Sequence, residues 1–324
     1  MYPADVRQDR PVEVFMAHMD VVFPDETELP LRVEGGRIYC PGVGDNTACL
    51  VCLLLAGKYI AGYEDSPRWS ELRGENAPGL LLVCNAGEEG LGNLKGVHKI
   101  CEDYGDRMER FCTFDSSLSS IVDRAVGSKR FRVRVRTRGG HSYNNFGNDN
   151  AIACLASLVG ELYGIRVPEG GKTTYNVGMI SGGTSVNTIA QEAEMLYEFR
   201  SDRRENLEYM ERQFMKVIDR GKSEGMDVSL EIIGVRPCEG PVDPKRKQAL
   251  SDWAHRVVEE MTGQAPKHCA GSTDCNIPLS LGIPSVCVGS FRGAGAHTRE
   301  EYVETDSLEE GYKVAFGMIF GSRD

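Results

Sequence analysis

The sequence predicts an α/β protein: a domain with a mixed sheet flanked by helices, interrupted by an inserted α+β module of βαββαβ order. Three observations predict it. Short apolar runs leading to an acid or a histidine recur at residues 12–20, 79–90, 111–115 and 283–297, the pattern of buried strands in an open sheet whose ligands gather outside the strand carboxyl ends. Apolar or amphipathic stretches of helix length, 48–56 and 245–262, accompany those runs. Between residues 124 and 235 the rhythm changes to strand-like runs, one strictly alternating, separated by two helical patterns. At 324 residues the chain exceeds the usual single-domain size, and its 41% hydrophobic content is enough for a core in each of two domains.

Residues 12–20 read as a strand, so His18 and Asp20, two apart, share a face. A carboxylate beside a metal-binding imidazole fixes its tautomer and raises its basicity; a purely structural His–Asp hydrogen bond is the alternative. The glycine-rich turn 41–48 runs into a helical apolar stretch, with Asp45 at its start either as helix cap or as ligand. A polar loop, 64–78, separates it from the strand 79–85. That strand ends in Asn-Ala-Gly and then Glu88 and Glu89. Neighbouring side chains on such a turn diverge, so one carboxylate can bind a metal while the other reaches water, as hydrolysis at a zinc-type centre requires. A solvated acidic turn is the alternative. Asp115 repeats the arrangement after 111–114, and the run 283–289 leads through glycines to His297. Two imidazoles and three carboxylates suit zinc, manganese or cobalt better than a thiolate site does. Five ligands exceed one tetrahedral zinc and suit two metals sharing a bridging carboxylate.

In the inserted module, alternation over 131–138 marks a half-exposed strand with Arg132, Arg134, Arg136 and Arg138 on one face. One basic strand does not make a nucleic-acid surface in a chain of net charge -11. A helix at 151–159, strands at 173–180 and 194–200, an amphipathic helix at 204–220 and a strand at 228–233 complete the module. The organisation is therefore 1–123, then the insertion 124–235, then 236–324, resuming through a turn-rich linker at 236–244. Charged residues interrupt every long apolar run, so no stretch is expected to span a bilayer. The first ten residues lack the apolar core of a secretion signal. An odd number of cysteines, eleven, scattered through strands and helices, reads as reduced thiols in a cytoplasmic protein.

His18-Met-Asp20, the turn 42–46, Glu88-Glu89-Gly90, Asp115 and His297 together resemble the M20 metallopeptidase family, in motif order from about residue 12 to the C-terminus. Its members include tripeptide aminopeptidases, carboxypeptidases and amino-acid deacylases. The resemblance implies two divalent ions, zinc foremost with cobalt or manganese as alternatives. It makes Asp45 their bridge, gives His18 and Asp115 to one ion and Glu89 and His297 to the other, and implies a cis peptide at Asp45–Asn46. Glu88 is then the general base and Asp20 the support of His18. The turn 139–141 matches the family's lid-domain histidine motif. His141 thus becomes the candidate oxyanion donor, a role typically worth about 3–4 kcal/mol, and the insertion a lid through which a homodimer forms. Residues 182–187 and 199–200 resemble lid motifs that contact substrate. On that basis Arg200 would grip a substrate carboxylate bidentately and Asn187 would bond its backbone; a surface ion pair and a turn role are the alternatives. Gly271 and Ser272 belong to a loop, 271–276, similar to one that approaches substrate, or build a simple turn. Asp274 stays outside the ligand set, which is already complete.

The resemblance therefore implies metal-dependent hydrolysis of short peptides of the di- or tripeptide aminopeptidase type, with residues 271–276 and 295–300 nearest the tripeptidase branch. An N-acyl amino-acid deacylase with the same centre is the second reading, and a non-catalytic metal-binding homologue the third. No nucleic-acid or membrane partner is expected. Relatives carry several dozen residues ahead of the histidine strand, where this sequence has 17. The expectation is apolar surface left open on the sheet, and a higher soluble yield from a chain extended upstream.

Overall fold

The computed structural model describes residues 10–23, 28–63 and 78–321. The opening residues 1–9 and, Pro78 apart, the polar loop 64–78 lie outside the described residues. The chain divides into two compact units, Met1–Ala125 with Glu239–Asp324, and Val126–Cys238. The first opens with β1 (Val12–His18), β2 (Arg32–Glu34), β3 (Arg37–Tyr39), α1 (Cys49–Tyr63), β4 (Gly79–Asn85), α2 (Lys95–Tyr104), β5 (Met108–Phe114) and β6 (Ser120–Ala125). The second unit is β7 (Gly127–Arg136), β8 (Gly140–His141), α3 (Ala151–Leu162), β9 (Thr173–Gly182), β10 (Thr188–Ile189), β11 (Glu192–Ser201), α4 (Arg204–Ser223) and β12 (Asp227–Arg236). The first then resumes with α5 (Pro244–Thr262), β13 (Lys267–Gly271), α6 (Asn276–Ser280), β14 (Ser285–Val288), β15 (Gly293–Ala294), β16 (Tyr302–Glu304) and α7 (Ser307–Phe320).

The first unit is built on a mixed sheet of order β13-β6-β14-β5-β1-β4. β1 runs parallel to β4 and β5, and β14 parallel to β5. Only β6, antiparallel to β14, and its parallel neighbour β13 run the other way. Four strand ends therefore open on one side. β1 is buried along its whole length, as a strand covered on both faces must be. Its alternate residues divide between two cores: Phe15 and Ala17 join Cys112 and Phe114 under α1, α5 and α7, while Val14 and Met16 join Phe111 under α2 and α6. The one charge in β1, Glu13, is compensated by Arg110 of β5 at 3.0 Å, and Arg110 stacks on Trp253. Helix α5 starts at Pro244 because Asp243 accepts from the amides of Lys245 and Arg246, and it stops at Gly263 in a left-handed conformation.

One expectation is corrected here. By length and composition the helical stretch Val43–Gly62 is apolar enough to cross a bilayer. Its Cys49, Cys52, Leu53, Ala56 and Ile60 are buried in the core beside the sheet, while Val51, Leu54 and Leu55 are exposed. All eleven cysteines are free thiols.

In the second unit β12-β7-β11-β9 form an antiparallel sheet. Phe131, Val133 and Val135 of β7 point to a core shared with α3 and α4. The intervening arginines lie on the other face, opposite glutamates of β11 and β12: Arg130 with Glu198, Arg132 with Glu194 and Glu231, Arg134 with Glu194, Arg136 with Glu192. Arg138 falls beyond the end of β7 and Arg130 takes its place in the row, because the strand begins earlier than the alternation suggested. Cross-strand pairing satisfies this basic row within its own sheet. The aromatic centre of the core is Phe214 of α4, fully buried and stacked on Phe131 at 4.4 Å and Tyr197 at 5.2 Å between centroids. Phe214→Ala leaves a cavity that these rings cannot fill, so urea titration is expected to show a loss of about 3–5 kcal/mol in unfolding free energy; a loss below about 1 kcal/mol would contradict this packing.

Candidate metal centre

Parallel strands deliver their ends to one place. β1 ends at His18 with Asp20 just beyond, β4 ends three residues before Glu88, β5 ends one residue before Asp115, and the chain from β14 reaches His297 past β15. Asp45 comes from the turn ahead of α1. There Gly42 has φ 77, and a Cβ on it would meet Val21 Cγ1 at 2.4 Å, so glycine alone fits. The Asp45–Asn46 peptide is cis, and the Asn46 side chain donates through Nδ2 to the Phe114 carbonyl at 2.8 Å.

The carboxylate of Asp45 faces two imidazoles. Its Oδ1 is 3.1 Å from His18 Nε2 and its Oδ2 is 3.1 Å from His297 Nε2. Asp45 therefore does not act as a side-chain helix cap. His297 Nε2 is also 3.2 Å from Glu89 Oε1, and Asp115 Oδ2 lies 3.9 Å from His18 Nε2. Two groups result, sharing Asp45: His18 with Asp115, and His297 with Glu89. His18 Nδ1 lies 3.0 Å from the Asp20 carbonyl oxygen. A carbonyl only accepts, so Nδ1 carries a proton and, in the neutral ring, Nε2 keeps a free lone pair toward Asp45. The Asp20 carboxylate accepts from the amides of Glu89 at 2.9 Å and Glu88 at 3.4 Å, which ties the end of β1 to the glutamate turn. Glu88 itself is buried beside this cluster.

Charge is out of balance here. Burial, then the carboxylates of Asp45 and Glu88, pushes Glu89 up to about 7. Burial first and Asp45 next hold Asp115 well above the usual carboxylate range. Burial opposes charge on His18, yet Asp20 and Asp45 outweigh it and raise the imidazole to about 12. Burial likewise opposes ionisation of Asp45, and His18 and His297 overcome it, so that carboxyl is lowered. The centre thus draws in positive charge and resists completing its negative charge. Donor atoms of His18, Asp45 and Glu89 all lie within 4.8 Å of one another, and the set is nitrogen and oxygen. These residues fit divalent cations.

The remaining candidates stand elsewhere. His141 is exposed on β8 of the second unit, where β8 pairs with β10 and its Nδ1 accepts from the Tyr143 amide at 3.2 Å. Asn187, just before β10, accepts the Ser142 amide on its carbonyl and Ser185 Oγ on its side chain. Arg200 is held bidentately by Glu198 at 2.9 and 3.1 Å. Gly271 closes β13 and Ser272 opens the loop to α6, in which the buried Asp274 accepts from the Asn85 amide at 2.9 Å. Two residues with a place at the centre have no signal in the sequence. Asn85 reads as a turn residue, and Glu301, in an Arg-Glu-Glu-Tyr run, reads as solvated; its buried carboxylate in fact binds the Asp45 turn.

Comparison with known proteins places the chain in a family. Residues 14–320 match the profile of peptidase family M20/M25/M40. A succinyl-diaminopimelate desuccinylase from Nitrosomonas eutropha is 25% identical over 326 aligned positions, spanning 93% of this chain and 80% of the relative. Among solved structures, a tripeptidase from Staphylococcus aureus superposes with a TM-score of 0.70 at 20% identity, over 96% of this chain and 80% of that one. A di-peptidase from Saccharomyces cerevisiae superposes with a TM-score of 0.72 at 14% identity, over 97% and 81%. The chain therefore belongs to peptidase family M20/M25/M40, a family of metal-dependent hydrolases of amide bonds.

Proposed function

We propose that this protein hydrolyses amide bonds in short peptides, as a di- or tripeptide aminopeptidase, at a centre of two divalent ions with Glu88 as general base. The observation that carries the reading is the Asp45 carboxylate, one oxygen toward His18 and the other toward His297. His18 and Asp115 would hold one ion, Glu89 and His297 the other, with zinc foremost and cobalt or manganese as alternatives. When bound, such ions polarise the scissile carbonyl and make water acidic enough to lose a proton near neutrality. Glu88 takes that proton and hands it to the leaving amine. Asp20 fixes the His18 ring and the turn that presents Glu88.

The second unit serves as lid. His141, with both its backbone and its ring engaged within the turn, donates to the developing oxyanion, and we assign it to the active site of a partner subunit in a homodimer. Asn187 bonds substrate backbone. Arg200 would have to exchange Glu198 for a substrate carboxylate. Gly271 and Ser272 line the substrate. The desuccinylase name of the sequence relative supports a second reading, an N-acyl amino-acid deacylase with the same centre. Di- and tripeptides with free and with blocked N-termini separate the two: turnover of free peptides supports the first, and turnover of N-acyl substrates alone the second. The protein is expected in the cytoplasm.

Glu88→Gln is expected to retain the parent's metal content while kcat falls about 10²–10⁴-fold, the usual contribution of general acid–base catalysis. Metal analysis beside steady-state rates checks this, and parental turnover in that variant would remove the assignment. Metal binding must also displace the protons held by His18 and by Glu89, whose carboxyl burial and the neighbouring Asp45 and Glu88 push up to about 7. Affinity for zinc, measured against a competing chelator, should therefore rise with pH through 7. A flat profile between pH 5.5 and 8 (about 1.5 units below and 1 above) would contradict it. The sign for stability is opposite. Between the ordinary value of 4.5 and about 7 the folded metal-free protein keeps a proton that the unfolded chain has released, so Glu89 makes it less stable as pH rises across that window.

A further inference from the structure

Glu301 lies four residues past His297 and is 2% exposed. Its Oε2 accepts from the Gly42 amide at 2.6 Å, and its Oε1 accepts from the amides of Gly44 at 2.9 Å and Asp45 at 2.7 Å. A carboxylate buried with two or three N–H donors aimed at it is a charge-assisted clamp, stronger than neutral hydrogen bonds. Both oxygens are occupied, so Glu301 is not placed as a ligand. It grips the backbone amide of Asp45 itself, which leaves little lever between the clamp and the carboxylate shared by the two imidazoles.

The clamp is fixed from behind. The Glu301 carbonyl accepts from the Cys40 amide at 3.1 Å, and the next residue, Tyr302, begins β16, which pairs with β3. The turn is held from its other side by Asn46 on the Phe114 carbonyl of β5. Nor is there room for it to shift: a Cβ on Gly44 would fall 2.7 Å from the Phe291 ring and 3.0 Å from Glu301 Oε1. One side chain therefore links the turn of Asp45 with the loop of His297, ligands that are 252 residues apart in the chain.

We propose that Glu301 is a positioning residue of the metal centre, setting the place of Asp45 relative to His297 before any cation arrives. The proposal rests on the reading of Asp45 and His297 as ligands. Without it three amides lose their acceptor in a buried place and the turn must move to find others. Glutamine keeps the length and one acceptor oxygen, yet sets an NH2 group against an N–H. Glu301→Gln should thus be intermediate and Glu301→Ala severe.

The test compares zinc affinity of the metal-free proteins against a chromophoric chelator, the visible absorption of the cobalt-substituted proteins, and kcat and KM at saturating zinc. Zinc affinity is expected to fall about 10–100-fold in Glu301→Ala, the usual effect of losing a partner that orients a ligand, and by less in Glu301→Gln. The cobalt bands should shift, and kcat should fall more than KM changes. A variant that merely loosens the fold would melt earlier yet bind zinc with parental affinity when folded. Parental affinity together with an unchanged cobalt spectrum in folded Glu301→Gln overturns the role, and that variant decides if Glu301→Ala does not fold. A parent protein that takes up no zinc overturns the reading of the centre and this role with it.

Discussion

Everything at the centre depends on one carboxylate lying between two imidazoles. Asp45 faces His18 with one oxygen and His297 with the other, and around it Asp115 and Glu89 crowd into a space where burial penalises their charge, with Glu88 buried beside them. An assembly of this kind costs free energy in the folded protein unless positive charge enters it. The shifts show how the molecule responds without a cation: His18 is raised, and Glu89 and Asp115 are raised as well. Protons thus offset part of the crowded negative charge, a consequence of that crowding rather than of any single residue.

The sheet makes the crowding achievable. β4, β1, β5 and β14 run in one direction, so residues far apart in sequence leave their strands at the same edge, as ligands do in open α/β sheets. Large aromatic and aliphatic cores on both faces of β1 fix those strand ends. Against that rigid edge, the Asp45 turn is the part that needs separate fastening. It is held by Asn46 on β5 and by Glu301 from near the other end of the chain.

Much of this was legible in the sequence, for a physical reason. A buried strand that stops at an acid or a histidine announces both its burial and the place of its last side chain, so His18, Glu89 and Asp115 could be read from short windows. The inserted unit was legible from alternation, since Phe131, Val133 and Val135 are inward and the arginines between them outward. Asp45 was ambiguous because a helix cap and a ligand have the same sequence; the direction of its oxygens, toward His18 and His297, sets the cap aside. Glu301 and Asn85 were not legible at all. Their partners are backbone amides or side chains more than a hundred residues away, and nothing in a window around Glu301 distinguishes a buried clamp from a solvated acid.

The arginine row of β7 shows the same limit from the opposite direction. Alternation gave its face correctly, but whether such a face is free to meet a partner depends on what stands across the strand. Glu192, Glu194 and Glu198 of β11 stand in register with Arg136, Arg134 and Arg130, and Glu231 of β12 with Arg132. The positive charge is spent inside the sheet, and the same holds for Arg200 against Glu198. A substrate carboxylate reaching Arg200 must therefore displace a bidentate partner already in place. That exchange becomes favourable only if Glu198 keeps a cation when Arg200 leaves it, and Arg130, which already lies 3.3 Å from Glu198, is placed to provide one.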